Sequence, residues 1–363
     1  MNTNLLIQTM MNSKVMMMAA LAVCGCARME EGTAQRGGEM VELNFKVPCQ
    51  KTTKVIGSVS EDAVDDLQIF VFGVDGQIHA YGHSEADQLT LTCSTGDKRI
   101  AALVNAPLAD TVSHESSLRT LVSKFSDNAL DRFVMSGIKD ETIESTGTVT
   151  VPVSRLVSKV VLSSVTNEFE LEQHREMDFT VKSVFLTNAA EDRQYFGAYS
   201  PSRWYNKGVS DMSQIISNAG DMMYQALDSG KIGYGTSWQP GCFLYCYPNP
   251  LSPDGTDPTY LVVEATIGTT VYYYPVDLPS MESNKCYNVN LTVCRPGSAT
   301  PDVPVEKSDI VFKVEVQPWS ENVAVDEFIE AVHSKVFLPV PGHDALCGLH
   351  QGGQGGLPLP SYR

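Results

Sequence analysis

Nowhere in these 363 residues is there an apolar run long enough to stay in a bilayer as a spanning helix. Positive charge is scarce: 26 Lys and Arg face 43 Asp and Glu, a formal net charge of -17. With no basic stripe to release counterions from a polyanion, nucleic acid is excluded as a partner. The signatures of common chemistries are absent too. There is no paired-histidine zinc helix, no phosphate-binding glycine loop and no Gly-x-Ser-x-Gly elbow. Ser136-Gly-Ile-Lys139 and Ser126-Asp-Asn128 match two motifs of penicillin-binding enzymes, but in reversed order and without Lys-Thr-Gly. The chain is therefore expected to be no enzyme, with no cofactor and no metal. Nine cysteines invite a disulfide framework, yet Cys242 and Cys246 would lie about 13 Å apart on an extended strand, beyond the ~7 Å a disulfide spans. Most of the thiols read as small buried hydrophobes.

What is present begins with Lys14, the short apolar run Val15 to Val23, and then Cys24-Gly25-Cys26. That layout is expected of a bacterial secretion signal over residues 1–26. Its last residues resemble a lipobox, in which Cys26 is acylated and becomes the new N-terminus. Several acyl chains on one cysteine would hold the protein on a membrane far more firmly than one. Glu30 and Glu31 resemble the acidic tag that sends lipoproteins of Bacteroidetes to the cell surface. Residues 27–39, rich in Gly, Glu and Arg, read as a flexible linker.

Val41, Leu43, Phe45 and Val47 then alternate with polar residues, which places four apolar side chains on one face of a half-buried strand. From Asp66 onward, strand signals at Leu67 to Phe72, Ile78 to Tyr81, Leu89 to Cys93 and Ile100 to Val104 suggest an antiparallel meander. Glu115 to Phe125 has helical spacing, and Met212 to Leu227 reads as a second helix. Strand signals return at Thr148 to Val153, Leu156 to Val165, Phe179 to Leu186, Phe243 to Tyr247, Tyr260 to Thr266, Val271 to Val276, Tyr287 to Val293 and Ile310 to Val316. A polar stretch at Asn167 to Glu176 divides the chain into an N-terminal domain, 40–172, and a C-terminal domain, 173–332. The Gly- and Pro-rich tail, 333–363, is expected to be disordered.

Several local patterns in this order resemble the FimA-like fimbrillins, subunits of the type V pili of Bacteroidales. They are Val64-Asp-Asp-Leu-Gln-Ile-Phe-Val-Phe72, Thr95-Gly-Asp-Lys-Arg-Ile-Ala-Ala-Leu-Val-Asn105, Val134-Met-Ser-Gly137 and Arg155-Leu-Val-Ser-Lys-Val-Val161 in the first half. Tyr273-Tyr-Pro275, Asn284-Lys-Cys-Tyr-Asn-Val-Asn-Leu-Thr292, Arg295-Pro-Gly297 and Val314-Glu-Val-Gln-Pro-Trp319 follow in the second. The resemblance implies an all-β fold of two antiparallel β-sandwich domains, transthyretin-like or Greek-key, with one or two short helices. It also implies a lipoprotein of the outer membrane that joins other pilin subunits in an adhesive fimbrium. A surface protease removes the first strand, here carrying Val41, Leu43, Phe45 and Val47, and a C-terminal strand of another subunit fills the vacated groove. Ile310, Phe312, Val314 and Val316 repeat the alternation and are the expected donor, with Asn322 to Ile329 as a second part.

One departure bears on processing. The family is cut after an arginine in the loop following the first strand, whereas Pro48 to Ser60 offers only Lys51 and Lys54. Either a lysine-tolerant protease acts, or the subunit keeps its first strand and serves as an anchor or accessory. A different class of function, glycan binding at the surface, is suggested by Tyr272 to Tyr274, Trp204 and Trp238.

Overall fold

A computed structural model of the chain describes residues 38–48, 61–197, 200–250, 257–303 and 310–319. In chain order the first half contains β1 (Met40–Lys46), β2 (Leu67–Phe72), β3 (Ile78–Ser84), β4 (Gln88–Ser94), β5 (Gly96–Val104), α1 (Glu115–Thr120), β6 (Val122–Lys124), β7 (Met135–Ile143), β8 (Gly147–Thr150) and β9 (Ser154–Arg155). Next come β10 (Ser158–Asn167), α2 (Glu172–Arg175), β11 (Phe179–Thr187), β12 (Ala189–Ala190), β13 (Asp192–Gln194), β14 (Trp204–Tyr205), α3 (Met212–Met223) and β15 (Tyr224–Ala226). The chain continues through β16 (Ser237–Trp238), β17 (Cys242–Cys246), β18 (Tyr260–Ile267), β19 (Thr270–Asp277), β20 (Lys285–Val293) and β21 (Ile310–Pro318). The fold is all-β, as expected, with three short helices among the described residues.

The first half packs a three-stranded sheet, β4-β1-β8, on a five-stranded one, β3-β2-β5-β7-β9. A core of buried side chains from β1, β2, β4, β5, β7 and β8 lies between them. The alternation of β1 turns its apolar residues into this core. β2 is apolar apart from the buried Gln68, because both of its faces are covered. Leu67, Ile69 and Val71 enter the first core, while Phe70 and Phe72 join a larger cluster that runs through the second half. β7 needs a glycine at its pairing with β9, since a Cβ on Gly137 would lie 1.9 Å from the Pro152 carbonyl oxygen.

In the second half one sheet has the order β16-β10-β20-β21, with β17 also on β10, and the other has the order β15-β11-β18-β19. β18 and β19 form a tight hairpin whose turn places Gly268 at φ 61°, a conformation that glycine adopts without steric cost.

Several expectations change. The meander is broken at β4, which leaves the sheet of β2, β3 and β5 to pair with β1. The helix expected over Glu115 to Phe125 ends at Thr120, because Val122–Lys124 is drawn into a ladder with β13. The second helix stops at Met223, where Tyr224–Ala226 pairs with β11. Two pairings are parallel rather than antiparallel, β1 with β8 and β10 with β20. β10 takes all its strand partners, β16, β17 and β20, from the second half.

Candidate functional site

β1 is the middle strand of its sheet. It pairs antiparallel with β4 from Met40↔Ser94 to Lys46↔Gln88, and in parallel with β8 from Leu43↔Gly147 to Lys46↔Thr150. The backbone ladder continues past both ends. Val47 N donates to Asp87 O at 3.0 Å, Val151 N to Lys46 O at 2.9 Å and Thr95 N to Glu39 O at 2.8 Å. Val41, Leu43, Phe45 and Val47 are 7, 2, 0 and 3% exposed and pack against Leu67, Ile69 and Val71 of β2 and Ile100 and Ala102 of β5. Lifting β1 out would leave an apolar slot between β4 and β8, floored by the five-stranded sheet. Cys93 lies in the same core, where burial pushes its thiol pKa up and leaves it unreactive.

The chain leaves β1 into residues 49–60, which hold Lys51 and Lys54. These candidate cleavage residues lie outside the described residues, as do Cys26, Glu30 and Glu31. Glu61, which follows that segment, is 6% exposed. One carboxylate oxygen accepts from Lys159 Nζ at 2.7 Å and from Tyr245 OH at 2.5 Å. The other accepts from Trp319 Nε1 at 2.8 Å. Burial alone would raise the Glu61 pKa, but the three hydrogen bonds and the Lys159 charge outweigh it, so the carboxyl sits below the usual 4.5.

Arg155 completes this junction. Its Nε donates to the Glu61 carbonyl at 2.9 Å and its Nη1 to Asn284 Oδ1 at 3.0 Å and to the Trp319 carbonyl at 3.3 Å. Its Nη2 pairs with the Asp62 carboxylate. The guanidinium lies 4.4 Å from the centre of the Trp319 ring, which also stacks with Tyr245 at 5.5 Å and meets Phe133 edge-on at 5.7 Å. Arg155, Lys159, Asn284 and Trp319 come from three separate motifs of the sequence, and the structure brings them together. Glu61 was not anticipated there; the acidic pair Glu61-Asp62 just after a loop with two lysines was the available signal.

The expected donor residues lie on β21, an edge strand paired with β20 from Lys285↔Pro318 to Val293↔Ile310. Ile310, Phe312, Val314 and Val316 sit opposite Val293, Leu291, Val289 and Tyr287. Ile310 is buried, Phe312 is 39% exposed, and Val314 and Val316 are half-buried. Asn322 to Ile329 lies outside the described residues.

The competing sites are less developed. Tyr274 and Tyr273 are buried in two different clusters and Tyr272 packs partly buried on the larger one, so these rings form cross-strand packing. Trp204 and Trp238 also pack partly buried against that cluster. The Ser136 hydroxyl is buried and donates to the Tyr195 carbonyl at 2.7 Å, while Lys139 pairs with Glu141 at 2.7 Å. A cleft of about 410 Å³ beside β5 and β7 is lined by Arg99, but Asp140 at 2.7 Å and Glu115 at 3.2 Å already engage that guanidinium. Among the described residues no group of three His, Cys, Asp or Glu side chains could hold a metal ion, and no helix is long and apolar enough to cross a membrane.

No family model and no curated protein matches the sequence. Solved structures do match. A Bacteroides eggerthii structure described as a cell adhesion protein superposes with a TM-score of 0.59 at 19% identity, over 78% of this chain and 97% of its own. A cell adhesion protein described from Parabacteroides distasonis gives 0.57 at 15% identity, over 78% and 97%. A fimbrilin of Porphyromonas gingivalis gives 0.56 at 13% identity, over 77% and 97%. The chain shares its fold with that fimbrilin and with the two cell adhesion proteins.

Proposed function

We propose that the protein is a structural subunit of a cell-surface fimbrium that supports adhesion, exported as a lipoprotein through Cys26 and polymerised by strand exchange. The observation that carries the proposal is β1: a central strand with four buried apolar side chains, joined to the rest of the fold through the segment that holds Lys51 and Lys54. The fimbrial and adhesion names of the structures sharing its fold support the same reading. In this reading the subunit is anchored at the outer membrane until a surface protease cuts after Lys51 or Lys54. β1 then leaves, and a C-terminal segment of another subunit enters between β4 and β8.

The energetics suit a fibre without covalent links. Four buried side chains at about 1.5–3 kcal/mol each give roughly 6–12 kcal/mol for a well-matched ribbon, before ladder hydrogen bonds and ordering costs. The alternation of Ile310, Phe312, Val314 and Val316 matches that of β1 in period, although β21 is paired within its own subunit. Because the loop carries lysines and no arginine, an anchor that keeps β1 is the second reading. N-terminal mass spectrometry of surface fibres separates the two. Mature chains starting at Thr52 or Val55 are expected for a stalk subunit; acylated Cys26 on every copy in the fibre would overturn the exchange mechanism.

A further inference from the structure

Two stretches of chain meet at one buried junction. Glu61 and Asp62 directly follow the Pro48 to Ser60 loop with the candidate cleavage sites, and Trp319 closes the β21 motif, with 44 residues after it in the sequence. The Glu61 carboxylate binds the Trp319 indole directly, and Arg155 bonds to both main chains, through the Glu61 and Trp319 carbonyls. Trp319 N further donates to Asn284 O at 3.1 Å, and Asn284 N to Val157 O at 2.9 Å. A charged group this buried keeps its place only because its partners are all supplied, so loss of one partner leaves the others unsatisfied.

We infer that Glu61, Arg155 and Trp319 form a latch that fixes the border between the part of the subunit that stays and the parts that move: β21 remains on β20, and the donated segment starts beyond Trp319. This rests on the strand-exchange reading above and moves the proposed donor from Ile310, Phe312, Val314 and Val316 to the segment after Trp319. β21 contributes nine paired residues to its own sheet, and withdrawing it would uncover Tyr287, Val289, Leu291 and Val293, each at most 1% exposed. The latch accounts for how a cut between Pro48 and Glu61 can free β1 without loosening the body. The new N-terminal end stays held at Glu61 by Arg155, Lys159, Tyr245 and Trp319. It also means that tension along a fibre leaves each subunit at Trp319, a side chain held by ring stacking, a guanidinium and a carboxylate together.

The test uses the full chain carrying one engineered protease site within residues 49–60. After cutting, hydrogen exchange at Trp319 and along Ile310–Pro318 is expected to stay as slow as before. In Glu61→Gln, and in Trp319→Phe, which keeps an aromatic ring but loses the indole donor and part of the ring surface, exchange at residue 319 is expected to quicken about tenfold. Release of β21 on cutting alone, or equal protection in parent and both variants, would overturn the latch. A parallel arm locks β21 to β20 through Asn290→Cys with Lys313→Cys, residues directly opposite in the ladder and so within disulfide reach. Locked subunits are expected to give the same ladder as the parent on an unboiled gel. A ladder lost on locking and restored by reductant would place the donor on β21 and overturn the inference. Absence of a ladder in the unlocked parent would defeat strand exchange itself, while the exchange data would still decide the latch.

Discussion

Among single side chains, Glu61 has the most consequences. Its folded pKa is depressed, so the stability it contributes is present above the unfolded value and disappears as pH falls through the lower folded value. Unfolding midpoints of the parent are expected to fall on acidification from pH 5 to pH 3, and the slope should be visibly shallower in Glu61→Gln; equal slopes would assign the acid sensitivity to other carboxylates. Arg155, Lys159, Asn284 and Trp319 could be singled out from the sequence as parts of motifs. Glu61 could not, because its partners lie 98, 184 and 258 residues away and a glutamate after a loop ordinarily reads as solvated. The thiols were more legible. Cys246 is fully buried, with its pKa pushed up to about 12 by burial, which matches its reading as a small hydrophobe.

At the scale of elements, strands with one covered face declared themselves and strands with special partners did not. β1, β4 and β20 alternate in sequence and in burial. The short strands Val122–Lys124 and Tyr224–Ala226 were concealed inside helical spacing, because pairing with a distant strand overrode local preference. β7 was missed because Lys139, Asp140 and Glu141 resemble a polar loop, whereas they line the exposed part of a ladder with β5. A prediction belongs to this scale. Phe45→Ala removes a fully buried ring and is expected to cost the unprocessed subunit about 3–5 kcal/mol in denaturant unfolding. In a subunit that has lost β1 the same change should have no effect. An equal penalty in both forms would show that residue 45 stays in the mature protein.

For the molecule as a whole, the dominance of strands was readable from spacing. What was not readable is that each half sets one strand between an antiparallel and a parallel neighbour: β1 between β4 and β8, and β10 between β17 and β20. Parallel ladders join residues far apart in sequence and leave no turn signature between them. The net charge of -17 has its own consequence for assembly. Subunits of one sign repel on approach, so polymerisation of cut subunits is expected to speed up as sodium chloride rises from about 10 to 150 mM, where the screening length shrinks from roughly 30 to 8 Å. Light scattering against salt would check this, and a rate that falls with salt would point to attraction between complementary patches instead.

The mixed neighbours of β1 carry one more implication. A vacancy with one rim of each sense looks alike to a ribbon arriving either way up, since each orientation yields one parallel and one antiparallel seam. The count of parallel and antiparallel seams is thus blind to heading. If copies are to add head to tail, bulk must act as the compass: Val41 and Leu43 lie towards one end and the ring of Phe45 towards the other, so a ribbon inserted upside down would press its widest residue into the narrower berth.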